Sequence, residues 1–316
     1  MQCRLKVIID SSGTEESVYL DGCESFYFEK DVYLPYTKAA GSFHTVGSCG
    51  FKAEQVRRIY LYINDEVRHI GLPDRVTIES AGSCWRFIFS SRGFTLLLVQ
   101  NEPYPEVNAN VTLKTLLAKN ISHSRISCEE DTPQVNYIYV KERSTVWEAV
   151  MAYAVKALGT QPYIRGTGTV SVTAGAAETV SYSGAVLTGS GSEYGTTAIL
   201  SDVYMADLSG DYTTYAESVE AKALGIIRKK YYPIDYQWLQ DEQAGLEYKL
   251  DVSAKAMRCE WFSYEGNLGE DLNDKISGCT ANGGSMNGKR ISAIRISGDS
   301  KGLRTRVKSY EDGFNN

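Results

Sequence analysis

The feature that most constrains this chain is period-two alternation over its first hundred residues. Ile59-Tyr60-Leu61-Tyr62-Ile63, Arg75-Val76-Thr77-Ile78-Glu79 and Trp85-Arg86-Phe87-Ile88-Phe89 alternate in polarity, as do shorter runs from Ser17 to Leu20 and Ser25 to Phe28. Successive side chains of a strand point to opposite faces, so such runs predict antiparallel strands with one face buried. Asn64-Asp65 and Leu72-Pro73-Asp74 are the expected turns. Tyrosine, at 22 residues against 9 Phe and 4 Trp, adds to the β lean and suggests extensive interface.

The pattern changes after Pro103. Leu113, Leu116 and Leu117 fall at helical spacing behind Thr112, a candidate N-cap. Thr145-Val146-Trp147-Glu148 reads as a capping box, followed at helical spacing by Val150, Met151, Ala154, Val155 and Leu158 and then by Gly159. Trp147 lies on that apolar stripe and is expected in a core. Val135 to Val140 predicts a strand and Pro162 to Val172 a hairpin. Residues 173–195 are rich in Gly, Ala, Ser and Thr, which fits either a linker or small-residue strands. Beyond them, a strand is expected from Ala198 to Tyr204 and a helix from Thr214 to Gly225. Strands should follow at Ala256 to Ser263, Arg290 to Ser297 and Leu303 to Ser309. The organisation expected is a β domain over 1–100, a small α+β domain over 101–175 and a second β domain over 176–316.

Chemistry-bearing patterns are sparse. His44, His69 and His123 have no metal-type spacing to one another or to Cys, and Ser91-Arg92-Gly93 does not complete the G-x-S-x-G of a nucleophile elbow. Gly166-Thr167-Gly168 lacks the Lys-Ser/Thr of a phosphate loop. Adjacent carboxylates such as Glu129-Glu130-Asp131 and Asp241-Glu242 read as solvated loops. No catalytic, cofactor or metal site is expected. The net charge of −6 argues against a general nucleic-acid binder. Seven Cys without a C-x-x-C pair fit reduced thiols, and the start has no apolar signal region, so synthesis in the cytoplasm without membrane insertion is expected.

Several runs, taken in order, resemble the baseplate hub and late-control family of phage tails. They are Ser90-Ser91-Arg92-Gly93 with the Leu-rich stretch to Asn101-Glu102-Pro103, Thr112 to Leu117, Ser144 to Ala149, Pro162 to Val172, Ser201 to Tyr204, Gly210 to Tyr212, Ala223 to Tyr232, and Lys301 to Val307. The resemblance covers about residues 59 to 309. The first sixty residues match less well, and Asn267 to Lys275 poorly.

The resemblance implies a mainly β fold with an α+β insertion: two tail-tube-like β-barrel domains flanking a small α+β domain. It also implies a non-enzymatic homotrimer that forms a pseudo-sixfold ring between the hexameric tail tube and the trimeric central spike of a contractile tail or tailocin. Partners would be the spike protein, the tube or tube-initiator protein, the tape-measure protein and baseplate wedge proteins, with DNA only passing through the lumen. The location would be the baseplate at the tail tip of the particle.

The interface or fold positions implied are Arg92, Asn101, Trp147, Arg304 and Arg306. Arg92 has two readings, a buried or interface ion pair suited to bidentate guanidinium geometry, or an ordinary surface arginine. Acidic residues crowd the start of the chain and basic ones the end, including Lys289, Arg290, Arg295, Arg304 and Arg306, which would steer assembly if they fall on opposite faces. A negative lumen would repel passing phosphates. The alternatives are the hub of a long flexible tail, and a tail-associated cell-wall hydrolase or glycan-binding module.

Overall fold

The computed structural model describes residues 3–47, 49–173, 177–281 and 284–311. Eleven strands from the two ends of the chain form one antiparallel sheet. Seven come from the first hundred residues: β1 (Cys3–Ser11), β2 (Thr14–Leu20), β3 (Gly22–Asp31), β4 (Lys38–Val46), β5 (Val56–Ile63), β6 (Glu66–Ala81) and β7 (Cys84–Gly93). Four come from the far end: β8 (Leu187–Tyr194), β9 (Arg258–Glu265), β10 (Ala293–Asp299) and β11 (Gly302–Tyr310). The order is β8-β9-β11-β10-β3-β4-β7-β6-β5-β1-β2, so the β3–β10 ladder is the seam between N- and C-terminal strands. The alternation read from sequence survives as burial: Leu5, Phe43, Ile59 and Phe87 share one apolar core with Phe262, Ile294, Ile296 and Val307.

The expected mainly β architecture with an α+β insertion is found. Hydrogen bonding leaves the sheet open, with β8 and β2 at its ends, but one bend brings it round on itself. Only Asp21 separates β2 from β3, so residues 14–31 are one bent strand. Its first half pairs with β1 and its second half with β4 and β10. The circuit β1-β5-β6-β7-β4 therefore starts and finishes on the same strand, and wraps the core. Asn64 and Asp65 make the expected tight hairpin with positive φ. Leu72-Pro73-Asp74 makes no turn; it is a bulge inside the sixteen-residue β6, where a proline without an N–H donor is tolerated.

Small residues in 187–194 form β8, settling the open reading of that stretch in favour of a strand. The Trp261 indole lies on it, and a Cβ at Gly191 would come within 2.9 Å of the ring. Glycine is required there by close approach.

The inserted unit holds α1 (Leu97–Gln100), α2 (Leu113–Asn120) and α3 (Val146–Leu158) around the paired strands Glu106–Val111 and Val135–Val140 and the hairpin Tyr163–Arg165/Thr169–Ser171. Thr112 and Thr145 cap their helices as expected, and Gly159 ends α3 in the left-handed conformation. The proposed limit between residues 175 and 176 lies outside the described residues.

Downstream, the helix expected from Thr214 begins later. Thr214–Glu217 is a strand paired with Asp202–Met205, and Ser218 caps the short α4 (Val219–Ala223). Pairing with a neighbouring strand satisfies the backbone groups along one edge of this segment and overrides the local capping pattern. A further helix, α5 (Glu242–Ser253), is capped by Asp241 and covers one face of the small sheet through Leu246 and Leu250.

A buried ionic junction ties these parts together. Lys30, on the core side of β3, pairs with Asp271 and donates to the Gly166 carbonyl at 2.8 Å. Asp271 Oδ2 accepts the Gly166 N–H at 2.6 Å, and Arg165 pairs with Asp274 at 3.0 Å. From β6, Arg68 donates to the carbonyls of Gly269 and Glu270. Burial lowers the Lys30 pKa. Burial alone would raise that of Asp271, but the Lys30 charge and its hydrogen bonds hold it below the usual range. Removing one member of such a pair leaves a buried charge alone, at about 3–5 kcal/mol. Lys30→Met is expected to destabilise by that amount in urea denaturation, and adding Asp271→Leu to recover most of it. Equal losses in the single and double variants would refute a compensated pair.

Candidate assembly interface

The side chains on the outer face of the sheet follow from register. Arg306 faces Arg295, Arg295 faces Glu29, Glu29 faces Lys38, and Lys38 faces Arg92. Five charged side chains thus form one row across β11, β10, β3, β4 and β7, on the order of 19 Å long at the usual strand spacing. Four are basic and one acidic. Like charges directly opposite are unfavourable, and the structure relieves them with aromatic rings. The Arg306 guanidinium lies 3.8 Å from the Trp261 ring centroid and that of Arg295 lies 5.0 Å from Tyr27.

Arg92 makes a bidentate pair with Asp74: Nε to Oδ2 at 2.9 Å and Nη2 to Oδ1 at 2.7 Å. It also sits 5.7 Å from the Tyr36 ring. The pair lies on the exposed face of the sheet, so Arg92 is a surface arginine that makes an ion pair within its own chain and not a buried one. Alongside the row runs an open trough of about 1270 Å³, lined by Arg86, Arg295, Lys301 and Arg304 with Glu24 and Glu265. Glu24 pairs with Arg86, whereas Arg295, Arg304 and Arg306 pair with no carboxylate among the described residues.

The structure therefore brings Arg92 and Arg306 into one row, with Arg304 two residues along β11. Asn101 and Trp147 are elsewhere. Asn101 ends α1, its Nδ2 donating to the Leu97 carbonyl at 2.8 Å and its own carbonyl accepting the Val146 N–H at 3.1 Å. Trp147 is buried in the core of the inserted unit. Sequence reasoning missed a second exposed surface. On the face of the small sheet opposite α5, Tyr215, Tyr204 and Tyr231 stack in a row, with ring centroids 6.0 and 4.7 Å apart, and Tyr212 packs edge-on to Tyr231. The excess of tyrosine was its one visible signal. No group of three or more His, Cys, Asp or Glu among the described residues is placed to hold a metal ion.

Beneath Arg92 lies a buried polar relay. His69 Nδ1 is 2.8 Å from Thr37 Oγ1, its Nε2 is 2.8 Å from Ser91 Oγ, and Ser91 donates to the Leu72 carbonyl at 2.8 Å. It joins β6 and β7 under the Arg92–Asp74 pair. Burial lowers the His69 pKa to about 3, so the ring is neutral. The unfolded chain binds this proton below about pH 6.5, so the stabilisation is complete above that pH and is lost as pH falls toward 3, at up to about 1.4 kcal/mol per unit. Between pH 6.5 and 5, the wild type should lose urea stability and His69→Gln should lose markedly less. Identical slopes would exclude His69 as the source.

No sequence family matches the chain, and no curated protein matches it by sequence. Solved structures do match, over nearly its whole length. The tail protein from Neisseria meningitidis MC58 superposes at a TM-score of 0.66 with 15% identity, covering 99% of this chain and 98% of its own. The 43 kDa tail protein of prophage MuSo2 from Shewanella oneidensis gives 0.69 with 13% identity, over 98% of this chain and 100% of its own. The E. coli c3393 protein, a type VI secretion component described as similar to the T4 tail proteins gp27 and gp5, gives 0.57 with 11% identity, over 99% of this chain and 78% of its own. The fold of this chain, from its first strand to its last, is the fold of these phage tail and secretion-system proteins.

Proposed function

We propose that the chain is a non-enzymatic structural hub of a phage tail or tail-like particle. Three copies would close head to tail into a ring that adapts a hexameric tube to a trimeric spike. The observation that carries this reading is the match to tail proteins from end to end of both chains, which takes in both groups of sheet strands and the inserted unit. Each copy would offer two β units, 1–100 and 176–316, so three copies would offer six to a sixfold partner and three to a threefold one. A contractile tail or tailocin baseplate is the setting proposed. Spike, tube or tube-initiator, tape-measure and wedge proteins are the partners.

The charge distribution supports assembly by electrostatic steering. The chain carries −6 overall, yet its sheet face carries a row with four bases and one acid. A basic stripe on an acidic molecule orients approaching copies or acidic partner segments. Mixing the chain with a trimeric tail spike protein should give threefold rings bound to spike in negative-stain images. Arg304→Glu with Arg306→Glu should weaken assembly at least about tenfold and reduce its salt dependence, with an unchanged melting temperature showing that the fold survives. Intact assembly in that variant would remove the basic face from the mechanism; a chain indifferent to spike would overturn the hub reading.

A further inference from the structure

Between α3 and α5 lies a cleft of about 400 Å³, lined by Met151 and Ala152 from one helix, Tyr248 and Val252 from the other, and Tyr232 and Trp238 from the chain before α5. A volume of this size with aromatic and aliphatic walls suits a small organic group. Its buried polar content is mostly donors. Lys141 and Lys249 both donate to the same oxygen of the buried Asp235, at 2.8 and 3.0 Å. Neither pairs with another carboxylate among the described residues. An ammonium has three N–H donors, and each lysine gives one to Asp235. Burial opposes the Asp235 charge, and the two cations still hold its pKa below the usual carboxylate range.

Gln237 points to an acceptor from outside the chain. It is 3% exposed and lines the same cleft. Its backbone N–H donates to Asp235 Oδ1 at 3.2 Å, which sets it beside the lysine pair. Its Oε1 accepts the Tyr139 N–H at 2.7 Å, whereas its buried Nε2 has no hydrogen-bond partner. Buried amide donors rarely go without an acceptor. A third ammonium stands nearby: Lys156 Nζ lies 5.9 Å from the Trp238 ring and 3.5 Å from that of Tyr137. The carboxylates on the rim do not answer these donors. Glu142 is exposed beside Arg143, and Glu148 caps α3, accepting the Thr145 N–H at 2.6 Å.

We propose that this cleft binds a carboxylate carried on an aromatic or branched apolar body. The carboxylate accepts from Lys141, Lys249 and Gln237, and the body lies against Trp238 and Tyr248. A small aromatic acid and the C-terminal residue of a peptide share that chemistry.

The test is isothermal titration calorimetry of the full chain with N-acetylphenylalanine and with its C-terminal amide, with tryptophan fluorescence as a second readout. The acid should bind with a Kd below about 1 mM and quench the emission, and the amide should bind at least about tenfold more weakly. Trp238→Phe should remove the quenching. Gln237→Glu keeps an acceptor for the Tyr139 N–H and sets a carboxylate beside the lysines, so it should abolish binding of the acid without lowering the melting temperature. Lys141→Met, which leaves Asp235 paired with Lys249, should weaken the acid about tenfold and leave the amide unchanged. Phenylacetate and the tripeptide Gly-Gly-Phe separate the two sources. Binding of phenylacetate alone assigns the cleft to small acids, and comparable binding of both opens it to peptide C-termini. Equal affinity for acid and amide, no binding of either at millimolar concentration, or full binding by Gln237→Glu would overturn the proposal.

Discussion

The Lys30–Asp271 pair is the interaction on which the arrangement of this molecule depends. It is buried, and it joins three segments distant in sequence: strand β3, the Tyr163–Arg165 hairpin of the inserted unit, and the loop that carries Glu270, Asp271 and Asp274. An apolar contact there would tolerate sliding. Directed hydrogen bonds from Lys30, Arg165 and Arg68 to carboxylates and carbonyls fix one orientation of the inserted unit against the sheet, because any displacement leaves charge desolvated and unpaired.

That fixed junction has a consequence on the opposite face of the same strands. Lys30 points inward from β3, so its neighbour Glu29 points outward into the charged row. The seam between β3 and β10 then sets Arg295 and Arg306 from one end of the chain beside Glu29, Lys38 and Arg92 from the other. A surface built jointly by both ends exists only when the whole sheet is assembled.

Much of the fold was legible because alternation and capping are local. Ile59 to Ile63 and Trp85 to Phe89 announced strands, and Thr145 with Glu148 and Gly159 announced a helix, since each pattern satisfies its own backbone. Thr214 to Glu217 misled for the complementary reason: the same residues satisfy their backbone better against Asp202–Met205. Helix α5 was invisible because only Gly245 and Leu246 are fully buried on it, too few for an apolar stripe. The charged row could not be seen, since cross-strand register between residues 29 and 295 is not a property of either segment. Lys30 was readable in principle, as a lysine at the inward parity of Phe26 and Phe28. The segment from Asn267 to Lys275, a poor match to the hub pattern, carries the junction's carboxylates.

The proposal that these features serve a ring is tested most directly by the solution mass of the purified full chain, measured by sedimentation velocity over a wide concentration range. The account predicts a species of three times the 35.0 kDa chain mass, shifting toward smaller species as salt screens the basic row. A well-folded monomer at all concentrations, with and without the spike protein, would contradict it.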